Sequence, residues 1–503
     1  MLVGHHGKSN LTPMNFSGTN LYARFRRTAL GVPLVCETGS ASPPERLLQH
    51  VWQHQRLVRD RLHLVDGSPV QVLHPGFWNR EAGPDFRGAV VQFGNGPART
   101  GDIEIDLAPA QWHAHGHDRN PSYRDVLLHV VWEPGRSGDA LPTLVLADQL
   151  DASLADLAGW FGGEGTSVAA PSLAGQCCAP LRELAPERLA DLLNQAACVR
   201  LAGKAAQMTA RARTGGWEQA LWEGLFRALG YKQNVWPMLR LAELLPQLVP
   251  AGGVVAPALL QARLLGVGGL LPLELTRRKL EQDAELRRIW DQWWRERAQF
   301  AAIALPRDVW RFHGLRPANH PQRRLALATH WIGDRNFVAR LEQWFGTASA
   351  GTRAGAGTEP ATSLLAALQV MHDDFWSWHW TFQSARMAKP QPLLGAARVT
   401  DLAVNVLLPW LWSRAVVDAD DARRDAVERL FLRWPAGEDN SVLRLARQRL
   451  LAGSSRRFPR TAAAQQGLLQ IVRDFCEHSN ALCTGCRFPE LVRQIEPEPP
   501  VSE

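Results

Sequence analysis

Lysine is almost missing from this chain. Only five of its 56 basic residues are lysine (Lys8, Lys204, Lys232, Lys279 and Lys389), and none lies between Lys8 and Lys204. Chemistry in that interval that needs a lysine ammonium is therefore excluded, because arginine stays protonated and cannot replace it as a base. Cysteine is also sparse and odd in number, seven in 503 residues. That excludes a disulfide framework and favours a reducing, cytoplasmic compartment. No apolar run is clean enough to cross a bilayer, since the best stretch, Val254 to Leu275, is interrupted by Gln261, Arg263, glycines and prolines. No membrane partner is expected. Tyrosine is reduced to three residues against 20 tryptophans, and no repeat of solenoid period is present.

With 46% hydrophobic residues the chain can bury a large core and divide into two or three domains. The net charge of +7 permits a polyanionic partner such as nucleic acid without demanding one. Residues 1–42, rich in small polar side chains, are expected to be a disordered extension. Pro43, Pro44 and Glu45 open an amphipathic helix with Leu47, Leu48, Val51 and Trp52 on its apolar face. LHLVDGSPVQVLH follows as a hairpin turning at Asp66-Gly67, then strands at Gly88–Phe93 and Asp102–Leu107, and a buried strand at Asp125–Trp132. From about Ala179 the periodicity is helical.

The expected fold class is α+β, a small mixed-sheet core at 43–150 packed on a large all-α body. That body comprises helical regions 176–345 and 364–495, a flexible loop at 346–363 and a disordered tail at 496–503. The tryptophan clusters WDQWW (290–294) and FWSWHWTF (375–382) read as helix packing.

Acids, histidines and turn residues concentrate between His74 and Trp132. Asp85 ends a Gly-Pro turn just before a strand. Glu104 and Asp106, two apart on the next strand, share one face, while Ile103, Ile105 and Leu107 point to the core. These three acids are candidate ligands for Mg²⁺ or Mn²⁺. In WHAHGHDRNPSY, His113, His115 and His117 can bring two imidazoles to one ion, the basis of an alternative zinc-hydrolase reading. His129, inside LLHVVW, is a second candidate beside the acids. Near the C-terminus, Cys476, Cys483 and Cys486 form a three-thiolate set for Zn²⁺ or an iron–sulfur cluster. The fourth ligand is left open among His478, Cys177, Cys178 and Cys198.

The order helix, hairpin, P-D, E-x-acid resembles the PD-(D/E)xK nuclease core. That resemblance implies that Asp85 and Glu104 bind metal and that a lysine two residues on positions the attacking water. Asp106 stands at that position here, so Arg87, His113 or His129 would have to replace the lysine.

The blocks HPGFWNREAGPDF, GDIEIDLAPAQWHAHGHDRNPSYRDVLLHVVWE, ALGYKQN, LRPANHPQRRLA, LLGAARVTDLAVNVLLPW and CEHSNALCTGC are similar to the bacterial family known as domain of unknown function 2851, over about Glu45 to Arg493. The family pattern has histidine where this chain has Asp106. Asn79, Tyr231, Asn234, Arg316, Asn319 and Asn405 fall in the matching blocks.

The functional expectation is a metal-dependent phosphodiesterase acting on nucleic acid. Asp85 and Glu104 would hold the metal, Asp106 would be an auxiliary ligand, and His113 or His129 would act on water. The alternative is a non-catalytic nucleic-acid or protein-binding module whose nuclease-like core has lost its lysine.

Overall fold

A computed structural model describes residues 20–29, 43–79, 82–135, 141–154, 156–157, 175–249, 255–272, 284–354, 359–452, 460–476, 483 and 486–494. Its elements begin with helix α1 (Leu21–Ala29) and helix α2 (Glu45–His54), followed by strands β1 (Val70–His74), β2 (Phe77–Trp78), β3 (Phe86–Phe93) and β4 (Ala98–Asp106). A one-turn helix α3 (Gln111–Ala114) then precedes strands β5 (Val126–Val131) and β6 (Thr143–Val145), and the remaining described elements are helical.

The chain forms two compact units that do not follow sequence order: one comprises 33–161 with 206–410, the other 1–32, 162–205 and 411–503. The sheet therefore shares a unit with 206–410 instead of standing apart at 43–150.

In the first unit the sheet order is β1-β3-β4-β5-β6, with β2 also paired to β3. The β1, β2, β3 and β4 pairings are antiparallel, whereas β4-β5 and β5-β6 are parallel, so the sheet is mixed as expected. Alternation fixes its faces. Ile103, Ile105, Leu128 and Val130 are fully buried against Leu48, Val51 and Trp52 of α2 in one apolar cluster. Glu104, Asp106 and His129 project from the opposite face.

A parallel β4-β5 pair cannot be closed by a tight turn. Residues 107–125 make the crossover, through α3 and two 3-10 turns (His117–Arg119 and Pro121–Tyr123), and lay the histidine-rich segment over the end of β4. Gly101 lets β4 and β5 approach, since a Cβ there would lie 2.4 Å from Leu127 Cδ2 and 2.7 Å from the Asp125 carbonyl oxygen. Charge ties the sheet to its helices: Arg59 meets Glu243 at 2.7 Å, and Arg240 donates to Gln71 Oε1 at 2.6 Å.

The expected turn at Asp66-Gly67 is present, with Gly67 at φ 81° and its N–H bonded to the Leu64 carbonyl. One other expectation is corrected: residues 346–354 and 360–363 of the expected flexible loop are helical, in Phe337–Ala354 and Pro360–Leu368. The aromatic clusters do pack helices: Trp376 is fully buried, and Trp293 of the helix Ala284–Glu296 lies so close to Gly266 of the helix Pro257–Val267 that a Cβ there would stand 2.1 Å from its ring, while Trp290, Trp293 and Trp294 also line a cavity of about 880 Å³.

In the second unit, α1 falls within the stretch expected to be disordered. Tyr22 and Phe25 enter an apolar cluster with Leu192, Leu468, Ile471 and Phe475. Tyr22 donates from its hydroxyl to Asp474 Oδ2 at 2.7 Å, and Arg26 Nε meets the same oxygen at 2.8 Å. Both side chains of that ion pair are nearly solvent-free. The polar sequence hid this anchor because its partners lie some 450 residues away. Asp474→Ala would leave a buried guanidinium and a buried hydroxyl without their acceptor, with an expected loss of about 3 kcal/mol in chemical denaturation. A loss under about 1 kcal/mol, the size of an exposed pair, would show that this network does not anchor α1. The tail at 496–503 and most of residues 1–42 lie outside the described residues.

Candidate metal centre

The site is built on the polar face of β4 and its surroundings. Asp85 follows the Gly83-Pro84 turn, which is held by Asn79: the Asn79 N–H donates to the Asp85 carbonyl at 2.7 Å and its side-chain amide to the Pro84 carbonyl at 2.9 Å. The Asp85 carboxylate then accepts from Ile105 N–H at 3.0 Å and from Gln49 Nε2 at 2.7 Å. Its own N–H donates to Glu104 Oε2 at 3.1 Å. Asp85 and Glu104 are thus locked together across the β3-β4 pair. Gln49 also donates to Glu45 Oε1 at 3.0 Å, one turn earlier on α2, bringing a fourth carboxyl to the group.

The crossover supplies the histidines. His115 Nδ1 lies 3.3 Å from Asp106 Oδ1, and His129 Nε2 lies 2.9 Å from Asp106 Oδ2. Asp106 is therefore engaged on both oxygens, by an exposed imidazole and by a buried one. His117 Nδ1 is 3.3 Å from Glu104 Oε1 but off hydrogen-bond geometry, and this buried nitrogen has no hydrogen-bond partner among the described residues. The His117 ring stacks on Tyr123 at 4.1 Å, and Trp112 packs edge-on against both. Trp112 also lies 5.4 Å from the His129 ring. One ligand atom from each of Asp106, His115 and His117 falls within 4.8 Å of the other two.

The electrostatics of this cluster are those of crowded anions. The ion-pair partners of Glu104 and Asp106 are imidazoles. Arg46 acts on Asp85, but its effect is smaller than that of the surrounding carboxyls. Burial, then the charges of Glu45 and Asp106, push the Asp85 carboxyl up to about 7. Burial and the neighbouring Asp85 push Glu104 up to about 9. Glu45 is raised by burial and by Asp106. Burial lowers His117, and burial followed by Glu104 pushes Tyr123 up to about 12. Without a cation the cluster retains protons it would otherwise lose.

Of the residues expected from the sequence, Asp85, Glu104, Asp106 and His129 are brought together. His113 is not in the grouping: its ring turns outward to Asp118 at 3.3 Å, half exposed, and Asp106 takes its place beside His115 and His117. Arg87 donates to the Ala82 carbonyl and braces the turn. The apolar face of α2 draws attention away from Glu45 and Gln49, although their spacing of four marks a second, polar stripe. Trp112 and Tyr123, which hold the imidazoles, were likewise not expected from the sequence. The cavity lined by Trp290, Trp293 and Trp294 includes none of these residues, so its size does not bear on this chemistry.

The family described as Protein of unknown function (DUF2851) matches residues 45–440. The chain belongs to this family. The match begins at Glu45, the first of the clustered acids, and spans the whole acid–histidine site. It ends before the CEHSNALCTGC block. No curated protein and no solved structure matches the chain. Asn234 and Asn319, in other blocks of the family, make loop bonds: Asn234 exchanges two with the Arg311 backbone, at 2.9 and 2.8 Å, and Asn319 accepts from Arg324 at 3.0 Å. No described helix is long and apolar enough to cross a membrane.

Proposed function

We propose that this member of the family is a cytoplasmic, divalent-metal-dependent phosphodiesterase acting on nucleic acid, with the acid–histidine cluster as its centre. The observation that carries the reading is the gathering of Glu45, Asp85, Glu104 and Asp106 in one cluster, where burial first and then the neighbouring acids raise Asp85 and Glu104, beside His117 Nδ1, a buried imidazole nitrogen with no hydrogen-bond partner among the described residues. The donor set fits two kinds of cation. Asp106, His115 and His117, whose ligand atoms lie within 4.8 Å of one another, offer the mixed set that suits Mn²⁺ or Zn²⁺, while Glu45, Asp85 and Glu104 add oxygen donors beside it without forming a three-atom group of that closeness themselves.

When bound, such a cation polarises a phosphoryl oxygen and acidifies water. The chain does the positioning. Gln49 and the Ile105 N–H fix the Asp85 oxygens, the Asp85 N–H fixes Glu104, and His129 fixes Asp106 from behind. His115, exposed at the surface of the cluster and held on Asp106, would be the ligand at its solvent-facing edge, where water can enter. His129 is buried and acts as a positioning residue. The net charge of +7 favours a polyanionic substrate.

The test is cleavage of labelled single- and double-stranded nucleic acid by the full chain, first stripped with chelator and then given Mg²⁺, Mn²⁺ or Zn²⁺. Asp85→Asn and Glu104→Gln should each lose several kcal/mol of transition-state stabilisation, about a thousandfold in rate. Nucleic-acid binding by the chelated protein should hold, because the raised Asp85 and Glu104 carboxyls carry little charge there and the amides keep their shape. A second reading, a zinc hydrolase, rests on the Asp106, His115 and His117 grouping. It would be favoured by activity that needs zinc, survives Asp85→Asn and is lost in His115→Ala. Binding without cleavage under any of the three cations would leave a binding module and reject the enzyme.

A further inference from the structure

The unit formed by 1–32, 162–205 and 411–503 brings cysteines from distant parts of the sequence into one region. The helix Ala462–Ile471 runs into a π turn, Val472–Cys476, that buries Asp474 and Phe475 and ends on Cys476. Cys483 adopts φ 53°, and the Cys486 N–H donates to its carbonyl at 3.2 Å, which holds the two cysteines together just before the helix Phe488–Gln494. Cys177 arrives from a distant part of the sequence, at the start of the helix Cys178–Glu183.

A point one Cβ bond from Gly175 lies 3.3 Å from Cys177 Sγ and 3.5 Å from Cys483 Sγ, so both sulfurs face the same small space. The Gly175 N–H is bonded to the Arg449 carbonyl at 2.7 Å, and any side chain at 175 would intrude between the thiols. Cys476 and Cys486 pack on the apolar cluster that contains Cys177. None of the four is in a disulfide.

The other candidates for a fourth ligand stand elsewhere. Neither Cys178 nor Cys198 is among the atoms nearest the space at Gly175, where the Sγ atoms of Cys177 and Cys483 lie. His478 lies outside the described residues.

Spacing then separates a single ion from a larger group. Four thiolates on one zinc, with Zn–S bonds of about 2.3 Å, stand about 3.8 Å apart. Here no three of these sulfurs come within 4.8 Å of one another, although Cys177 and Cys483 share the space at Gly175 and Cys476 and Cys486 pack on the apolar cluster that contains Cys177. A cluster of several irons and sulfides is wider than one ion and holds its thiolates further apart. We propose that Cys177, Cys476, Cys483 and Cys486 ligate an iron–sulfur cluster of the four-iron type, which fastens the C-terminal segment to the helix at Cys178. This centre is independent of the acid–histidine cluster, which shares none of these residues.

The test uses the full chain purified without oxygen, with iron, acid-labile sulfide and zinc measured on the same sample. The expected result is about four irons and four sulfides per chain, a brown colour that oxygen bleaches, and little zinc. Cys177→Ser should lose most of the iron, whereas Cys178→Ser and Cys198→Ser should retain it. Asp106→Ala should leave the iron content unchanged while removing cleavage, so failure of one centre is not mistaken for failure of the other. One zinc per chain without sulfide would overturn the proposal, as would a colourless protein lacking both metals. Full iron in Cys177→Ser would overturn the assignment of the fourth ligand. If that variant does not fold, the iron and sulfide content of the unaltered chain still decides the nature of the centre.

Discussion

Asp106→Ala is expected to abolish cation-dependent cleavage, with a loss on the order of a thousandfold or more. Asp106 is almost fully buried, and each oxygen faces a different imidazole, the exposed His115 at 3.3 Å and the buried His129 at 2.9 Å. Removing it takes away a ligand and also the group that aligns His115. His129→Gln should behave differently. That ring acts only through Asp106, so the variant should lose about 10–100-fold in cation affinity, with much of the rate recovered at saturating cation.

His113→Ala should leave both rate and cation affinity unchanged, because its ring sits on Asp118 outside the cluster. Asp106→Lys does not rebuild a nuclease site on this scaffold, since a buried ammonium would face His115 and His129 and lose its charge or unfold the strand end. Rate measurements across a cation titration decide these points. Normal cleavage by Asp106→Ala would remove Asp106 from the centre, and a His113→Ala defect equal to that of His115→Ala would reject the assignment of roles.

The polar face of β4 was legible in sequence because strands carry a period of two. Once Ile103 and Ile105 are assigned to the core, Glu104 and Asp106 must share the other face. The near-continuous apolar run of β5 likewise reads as a strand buried on both sides, as the parallel β4-β5 pairing requires. The choice among His113, His115 and His117 was not legible. Extended and helical backbones place those rings differently, and the segment is neither: α3 ends at Ala114, Gly116 turns at φ 70°, and a 3-10 turn begins at His117. That break points His113 away and brings the other two inward.

Contacts between residues far apart in sequence were equally hidden. Nothing local connects Tyr22 with Asp474, or Cys177 with Cys483, so a polar N-terminal stretch read as disordered and a three-cysteine motif read as one ligand short. The compact units expose the same limit: residues 162–205 and 411–503 have similar helical periodicity to their neighbours, and only tertiary packing assigns them to one unit.

The contribution of this cluster to the stability of the cation-free protein, read as the difference between the unaltered chain and Glu104→Gln, should fall as pH rises from about 4 towards about 9, and a divalent cation should reverse that fall. His74 and His320, lowered by burial to about 4, act on both chains in the opposite sense below pH 6.5. The sign follows from the acids. Folding raises Asp85 from 3.8 to about 7 and Glu104 from 4.5 to about 9, so in these windows the folded chain binds more protons than the unfolded one. Their contribution to stability then decreases with pH, because the unfolded carboxyls ionise freely while the folded ones must ionise beside other anions. Below the ordinary carboxylate range both states are protonated and the penalty vanishes.

A tenfold gain in proton affinity on folding corresponds to about 1.4 kcal/mol, but the gains at the two sites overlap because the charge of one carboxylate helps retain the proton of the other. The net fall is therefore expected to be on the order of 5 kcal/mol. A divalent cation binds the ionised carboxyls, displaces their protons and stabilises the fold more at high pH than at low pH. Thermal unfolding with chelator, and separately with Mn²⁺, at matched ionic strength across this pH range gives the test. Glu104→Gln removes the more strongly raised of the two carboxyls, so the chelated variant should lose less stability than the unaltered chain as pH rises, and show a smaller cation effect. The same pH dependence in both chains, or a cation effect that does not grow with pH, would show that the carboxyls of this cluster are not what the cation binds.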